Sequence, residues 1–127
     1  MTTNADHYNT NIAYAVNAYS KGEILLVQLG YIVGDSVRDK ILLEYYKLWR
    51  FKHPNPNDFF KVAQDVSGMQ LGWYKEYWLN TTKSIDYKID SLWGDDGTSY
   101  IRLRRIGEMP MPIDLQLTFK DSTKELH

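Results

Sequence analysis

The fold is organised around residues 18–34, which read Ala18-Tyr19-Ser20-Lys21-Gly22-Glu23 and then Ile24-Leu25-Leu26-Val27-Gln28-Leu29-Gly30-Tyr31-Ile32-Val33-Gly34. The second part is apolar on every side of a helix, and such helices are buried. The stretch therefore predicts a buried helix whose start presents an aromatic hydroxyl, an ammonium group and a glycine. We expect the helix to run over residues 11–33 and to stop at Gly34.

Three more helices are predicted at residues 37–51, 56–66 and 70–79. Asp35 and Ser36 can cap the first of them, since short polar side chains bond the free N–H groups at a helix start. Asn55 is the predicted cap of the next, with Pro56 in the first position and Asp58 near the positive end of the helix dipole. The first part of the chain is thus predicted to be about four short antiparallel helices packed together.

Helical spacing also predicts how the side chains of the last two helices are arranged. We expect Phe59, either Val62 or Ala63, and Val66 to face the core from residues 56–66. Residues 70–79 place Leu71, Tyr74 and Trp78 on one side and Trp73 and Tyr77 on another, and the spacing does not say which side is buried.

The hydrophobic period changes from helical to alternating after Thr82. Strands are predicted at 85–90, 100–106 and 113–120, with a hairpin turn at 94–97. The predicted class is α+β, with the helices followed by a three-stranded antiparallel β-meander. We place a domain boundary between residues 1–82 and 83–127. Three strands with one apolar face need a covering layer, so the meander is expected to be a truncated part of a larger domain.

Composition excludes several kinds of site. The 127 residues contain no cysteine, which rules out disulfides, thiolate zinc sites and a cysteine nucleophile. The formal net charge of −1 gives no general electrostatic reason to expect nucleic acid or an anionic membrane as a partner. Hydrophobic residues make up 43% and aromatic residues 14%, which allows a substantial core.

Neither a membrane span nor a targeting segment is expected. The longest apolar run is about ten residues, whereas a span needs about 20. The first seven residues show neither a basic region nor an apolar one, so no signal peptide is predicted. The compartment stays undetermined by the sequence.

Several segments together resemble the zinc aminopeptidases of the gluzincin family, which includes aminopeptidase N and leukotriene hydrolase. Tyr19-Ser20-Lys21-Gly22 resembles the Tyr-x-Lys-Gly element of that family. Bacterial members are similar to the chain in three further segments: the inter-helix turn at 51–59, Ser67-Gly68 followed by the aromatic helix at 73–78, and the entry to the C-terminal β-domain at 105–113. The resemblance covers about residues 11–120.

The resemblance implies a role for two tyrosines. Tyr19 would be the catalytic residue, whose neutral phenol donates a hydrogen bond to the oxyanion formed at the scissile carbonyl. Tyr14 falls where some members carry an active-site tyrosine and would contact the substrate. Lys21 would be structural or electrostatic, and Gly22 would allow close backbone packing.

The zinc site of that family is missing from this chain. Its members hold zinc with His-Glu-x-x-His and a distant glutamate, and the first glutamate acts as general base. The three histidines here, His7, His53 and His127, are far apart in sequence. The resemblance therefore implies that residues 1–82 are the C-terminal part of a catalytic domain and 83–127 the first strands of a β-sandwich-like domain. Zinc, the peptide substrate and the missing N-terminal part of the catalytic domain belong to the longer enzyme; this chain alone should bind no zinc and be inactive.

Two other functions stay open. The chain could be a non-catalytic protein-interaction module of the same fold, or a self-contained α+β domain whose aromatic helices bind a partner.

Weaker signals have simpler interpretations. Trp73, Tyr77 and Trp78 could stack on a sugar, but at helical spacing they are more often core. The acidic residues between Asp86 and Asp96 do not match the calcium-loop spacing, so a turn is favoured. The cluster Arg102, Arg104 and Arg105 is interpreted as a solvated face, His53 as a loop side chain, and Asn80-Thr81-Thr82 as a common match to the glycosylation pattern.

Overall fold

A computed structural model of the chain describes residues 3–127. The chain divides after Thr82 into a helical unit, residues 3–82, and a strand unit, residues 83–127. The predicted α+β class is confirmed. No helix in the described range combines the length and apolar character needed to cross a bilayer.

The helical unit contains α1 (Asn11–Ala15), a π-helical segment (Val16–Ser20), α2 (Lys21–Val33), α3 (Asp35–Trp49), α4 (Pro56–Ser67) and α5 (Gly72–Asn80). Because α1, the π-helical segment and α2 follow one another without a break, the unit has the four successive helices that were predicted. Gly34 separates α2 from α3 with φ +89°, a conformation that glycine adopts without steric cost.

The predicted caps of α3 are wrong, whereas the cap of α4 is confirmed. Asp35 lies inside α3, and its carboxylate accepts a hydrogen bond from Arg38 at 2.8 Å. At α4 the side chain of Asn55 accepts from the N–H of Asn57 at 2.8 Å, and Asp58 accepts from the N–H of Asn55 at 2.8 Å. This reciprocal capping box fixes where α4 begins.

The core of the helical unit centres on Leu29, Ile41, Leu71 and Tyr74, all fully buried. The Tyr74 hydroxyl donates to the carbonyl of Leu25 at 2.7 Å, which ties α5 to α2. Burial raises the pKa of Tyr74, so the phenol stays neutral as a donor.

Of the two sides predicted for α5, the one with Leu71, Tyr74 and Trp78 is buried. For α4 the expectation for Phe59 is wrong. Phe60 is buried, with its ring centroid 6.3 Å from that of Tyr74, whereas Phe59 is half-buried against Tyr45. Adjacent phenylalanines leave the helical phase ambiguous, and packing on Tyr74 selects the second of them.

The strand unit contains β1 (Tyr87–Asp95), β2 (Thr98–Arg105), β3 (Gln116–Thr118) and β4 (Lys124–Leu126). β1 and β2 form an antiparallel hairpin through a two-residue turn at Asp96 and Gly97, whose φ values are both positive. Positive φ at both positions characterises the type I′ turn that an Asp-Gly pair favours.

The predicted three-stranded meander is wrong: the described strands form two separate two-stranded sheets, β1–β2 and β3–β4. Directly after β2 the backbone still bonds to the segment before β1, since the N–H groups of Ile106 and Gly107 donate to the carbonyl of Asp86 and that of Met109 donates to Ser84. Further on, Tyr87 donates its hydroxyl to the carbonyl of Met111 and accepts from the N–H of Met111. Pro110 and Pro112 have no N–H to offer a neighbouring strand. Within the predicted strand 113–120, residues 116–118 pair with β4, and backbone hydrogen bonds of Leu115 to His127 and of Phe119 to Thr123 extend this pairing by one residue at each end.

Candidate functional site

Tyr19, Ser20 and Lys21, which the sequence singled out, lie at a π-helical turn of the first helix. The backbone N–H of Lys21 donates to the carbonyl of Val16, five residues earlier, which is the π-helical pattern. Such turns are rare and frequently occur at functional sites. Tyr19 and Ser20 lie within the π-helical segment, and Lys21 begins α2.

Tyr19 projects into solvent with 71% of its surface exposed. Tyr14 is 38% exposed, and its ring packs edge-on against Tyr8 with the centroids 5.6 Å apart. Among residues 3–127 neither phenol forms a hydrogen bond, and the two rings make no contact with each other. The Tyr19 hydroxyl is therefore available to an external group.

Tyr19 belongs to a row of exposed large side chains on the first helix, which we call the outer face: Ile12, Val16, Tyr19, Ile24, Val27 and Tyr31. The prediction that residues 24–33 form a fully buried helix is therefore correct on one side only. Leu25 and Leu29 are buried by the other helices, whereas Val27 is 59% exposed. Within residues 3–82 no further helix covers the outer face.

Lys21 and Asn17 lie one helical turn apart at a polar pocket of about 340 Å³, which Thr3, Asn80 and Thr82 also line. The Lys21 ammonium lies 5.7 Å from the centre of the Trp78 ring, a distance at which cation and ring attract. This contact supports the structural role expected for Lys21. Asn17 was not predicted from the sequence, and its buried side-chain oxygen has no hydrogen-bond partner within the described range.

Gly22 lies on a different surface from Tyr19. It lines an apolar cleft of about 340 Å³ together with Leu25, Leu26, Leu42, Tyr45, Phe59 and neighbouring residues. Burial, and secondarily the charge of Asp58, raises the pKa of Tyr45 at this cleft. The cleft offers hydrophobic contact and no group for acid–base chemistry other than the Tyr45 phenol.

No three histidine, aspartate or glutamate side chains in the part of the chain that the structure describes gather closely enough to hold a metal ion. The residues present therefore do not fit the catalytic zinc of the family that the sequence resembles. His53, one of the three histidines, lies exposed in the loop between α3 and α4.

The weaker candidates take ordinary structural roles. Trp78 is buried beside Tyr74, and Trp73 packs edge-on against the same ring. Arg102 stacks over Trp93 with 5.3 Å between guanidinium and ring, while Arg104 contacts Asp90 at 3.4 Å.

No protein-family model, curated protein or solved structure matches this chain. The likeness to zinc aminopeptidases consequently depends on the quoted segments alone.

Proposed function

We propose that this chain is part of a bacterial-type zinc-dependent aminopeptidase, a peptide hydrolase that removes N-terminal residues. The helical unit would be the C-terminal part of its catalytic domain, and the strand unit would begin the following β-domain. The observation that carries the proposal is the exposed phenol of Tyr19. It lies in a π-helical segment at the head of Tyr-Ser-Lys-Gly, on a face that its own unit leaves uncovered.

Tyr19 would act by donating a hydrogen bond to the oxyanion that forms when water attacks the scissile carbonyl. The donor must be fixed before charge develops. The helix backbone positions the Cα of Tyr19, and contacts with the region that completes the site would fix its phenol. Removing one such donor typically costs about 2.7–4 kcal/mol of transition-state stabilisation. Tyr14, one turn earlier, would contact the substrate peptide from the same helix.

The zinc ion, its ligands and the general base would come from a region outside this chain, because the described residues do not form a metal site. That region would lie against the outer face and convert Ile12, Val16 and Val27 into interior contacts. Burying apolar area of this kind stabilises an interface by about 25 cal/mol per Å².

The first test is the coding sequence that adjoins codon 1. A His-Glu-x-x-His motif with a glutamate about 18 residues later is expected there. An adjoining sequence without that motif would remove the enzymatic assignment.

The second test is enzymatic and uses the longer protein encoded with that motif. Tyr19→Phe should lower kcat at least tenfold and leave the zinc content unchanged. The loss of one oxyanion donor typically lowers kcat about 10²-fold. Tyr46→Phe is the matched control, since Tyr46 is 60% exposed on α3. Near-normal turnover of Tyr19→Phe would exclude Tyr19 from the mechanism.

The 127-residue chain alone is expected to take up no zinc above background and to leave aminoacyl reporter substrates intact. Equilibrium dialysis followed by metal analysis measures the first, and a fluorogenic assay the second. Stoichiometric zinc binding would contradict the proposal.

A protein-interaction module is the second candidate, and the apolar outer face is the observation that favours it. Exposed apolar patches mark interaction sites in folded proteins, and on this face Val16 is 54% and Val27 59% exposed. This function would require a partner that binds through Val16 and Val27 and an adjoining sequence without the zinc motif.

A further inference from the structure

The polar pocket beside the π-helical segment has one charged residue in its lining, Lys21. The other described residues that line it are uncharged. Lys21 forms no ion pair within residues 3–127. The carboxylate of Glu76 accepts a hydrogen bond from the Asn80 side chain at 2.7 Å, and Glu76 does not line the pocket. The pocket therefore favours a ligand with a single negative charge.

The ring of Trp78 restrains the Lys21 ammonium before a ligand binds. Trp78 is buried in the helical unit, and the centre of its ring lies 5.7 Å from the Lys21 Nζ. An ammonium group has three N–H donors, so its attraction to the ring leaves donors for an anion. A group that is already restrained loses less conformational entropy when the ligand binds.

Asn17 adds a second chemical requirement. Its side-chain oxygen is buried and accepts no hydrogen bond within the described part of the chain. A buried acceptor without a partner is unfavourable, and a ligand that donates a hydrogen bond removes this cost. Because Lys21 lies one helical turn away, a second positive charge would be repelled there. The donor that suits Asn17 is consequently a neutral hydroxyl or amide.

We propose that this pocket binds a small monocarboxylate that carries a neutral hydrogen-bond donor, as a 2-hydroxy acid does. Lys21 binds the carboxylate, and the side-chain oxygen of Asn17 accepts from the hydroxyl. The pocket volume of about 340 Å³ is sufficient, since an apolar cavity of about 150 Å³ accepts benzene. Tyr19 does not line the pocket, and the site is independent of the proposed enzymatic function.

Amide NMR of the ¹⁵N-labelled 127-residue chain, titrated with sodium L-lactate at constant ionic strength, tests the proposal. Saturable shifts are expected at residues 17–21 and 80–82, with a dissociation constant between about 1 and 10 mM. Propionate lacks the hydroxyl and should bind at least fivefold more weakly, because the Asn17 oxygen stays unpaired. Lactamide lacks the charge and should bind at least tenfold more weakly.

Two substitutions examine the two groups separately. Lys21→Met removes the charge but keeps an unbranched side chain over Trp78, and it should weaken L-lactate binding at least tenfold. Asn17→Asp keeps the size of the side chain but places a carboxylate beside Lys21, and it should weaken binding to the same extent. Lys40→Met, at an exposed position of α3, is the matched control and should bind like the wild type.

Four outcomes would overturn the proposal. The wild type could show no saturable shift up to about 100 mM L-lactate, or it could bind propionate equally well. Binding could be unchanged in a folded Lys21→Met or Asn17→Asp chain, which would place the ligand elsewhere. Inorganic phosphate could bind more tightly than L-lactate, which would make a polyvalent anion the ligand. The comparison of ligands on the wild type decides the matter even if a variant does not fold.

Discussion

The two sides of α2 have nearly the same composition and opposite surroundings. Leu25 and Leu29 are buried under the other helices, whereas Ile24 and Val27 are about half exposed or more. A helix surrounded by its own domain would bury both sides. The difference indicates that the inner side builds the fold of the helical unit and that the outer face, which carries Tyr19, is free for another molecule or domain.

The largest expected effect is a difference in unfolding free energy between one substitution on each side of α2. Leu29→Ala should lower the free energy of unfolding by about 3–4 kcal/mol, since it removes a fully buried side chain and leaves a cavity. Val27→Ala should change it by less than about 0.5 kcal/mol, because Val27 is mostly exposed. Urea denaturation of both variants measures the contrast, and equal losses would erase it.

A smaller effect is expected from the buried phenol that fastens α5 to α2. Tyr74→Phe should cost about 1 kcal/mol at neutral pH through the lost hydrogen bond to Leu25. Burial raises the pKa of Tyr74, so the native phenol stays neutral while the unfolded one ionises above about pH 10. The contribution of Tyr74 to the free energy of unfolding is therefore fully present below about pH 10 and is lost as the pH rises further.

The pH dependence of stability is the control for the prediction about Tyr74. Stability should fall more steeply above pH 10 in the wild type than in Tyr74→Phe, as followed by denaturation at several pH values. Parallel curves would mean that Tyr74 is not shielded from water.

Phe51, in the loop between α3 and α4, has a φ of 62°, which is unfavourable for its side chain, so replacing it should stabilise the fold. Phe51→Asn should raise the free energy of unfolding by about 0.5–1 kcal/mol, because Asn tolerates positive φ. Phe51→Val is the matched control and should lower it, since a β-branched residue is disfavoured there. A loss in Phe51→Asn would show that the phenyl ring packs within the unit, as Leu29 does.

The sequence determines local features well where a single mechanism decides them. The cap at Asn55, the stop at Gly34 and the hairpin at Asp96-Gly97 each depend on a short-range hydrogen bond or a glycine conformation. Periodicity likewise grouped Leu71, Tyr74 and Trp78 on one side of α5, although it did not say that this side is the buried one. The choice between Phe59 and Phe60 depends on contacts with Tyr74, which is distant in sequence, and the helical phase alone did not resolve it.

The missing meander has a similar cause. Alternation in residues 113–120 predicts a strand but does not say which strand pairs with it. Hydrogen bonds between Tyr87 and Met111 and the prolines before Ile113 separate this segment from β2. At the candidate site the catalytic role of Tyr19 stays a prediction, and neither the π-helical segment nor the buried Asn17 oxygen has a signal in the residue pattern.

The central claim is that Tyr19 is placed for an external group and contributes nothing to the fold of its own unit. The most direct measurement is the free energy of unfolding of Tyr19→Ala in the 127-residue chain, obtained by urea denaturation beside the wild type. We predict a change within about 0.5 kcal/mol, as for other exposed positions. A loss of about 2 kcal/mol or more would show that the side chain is packed in the interior and would contradict the claim.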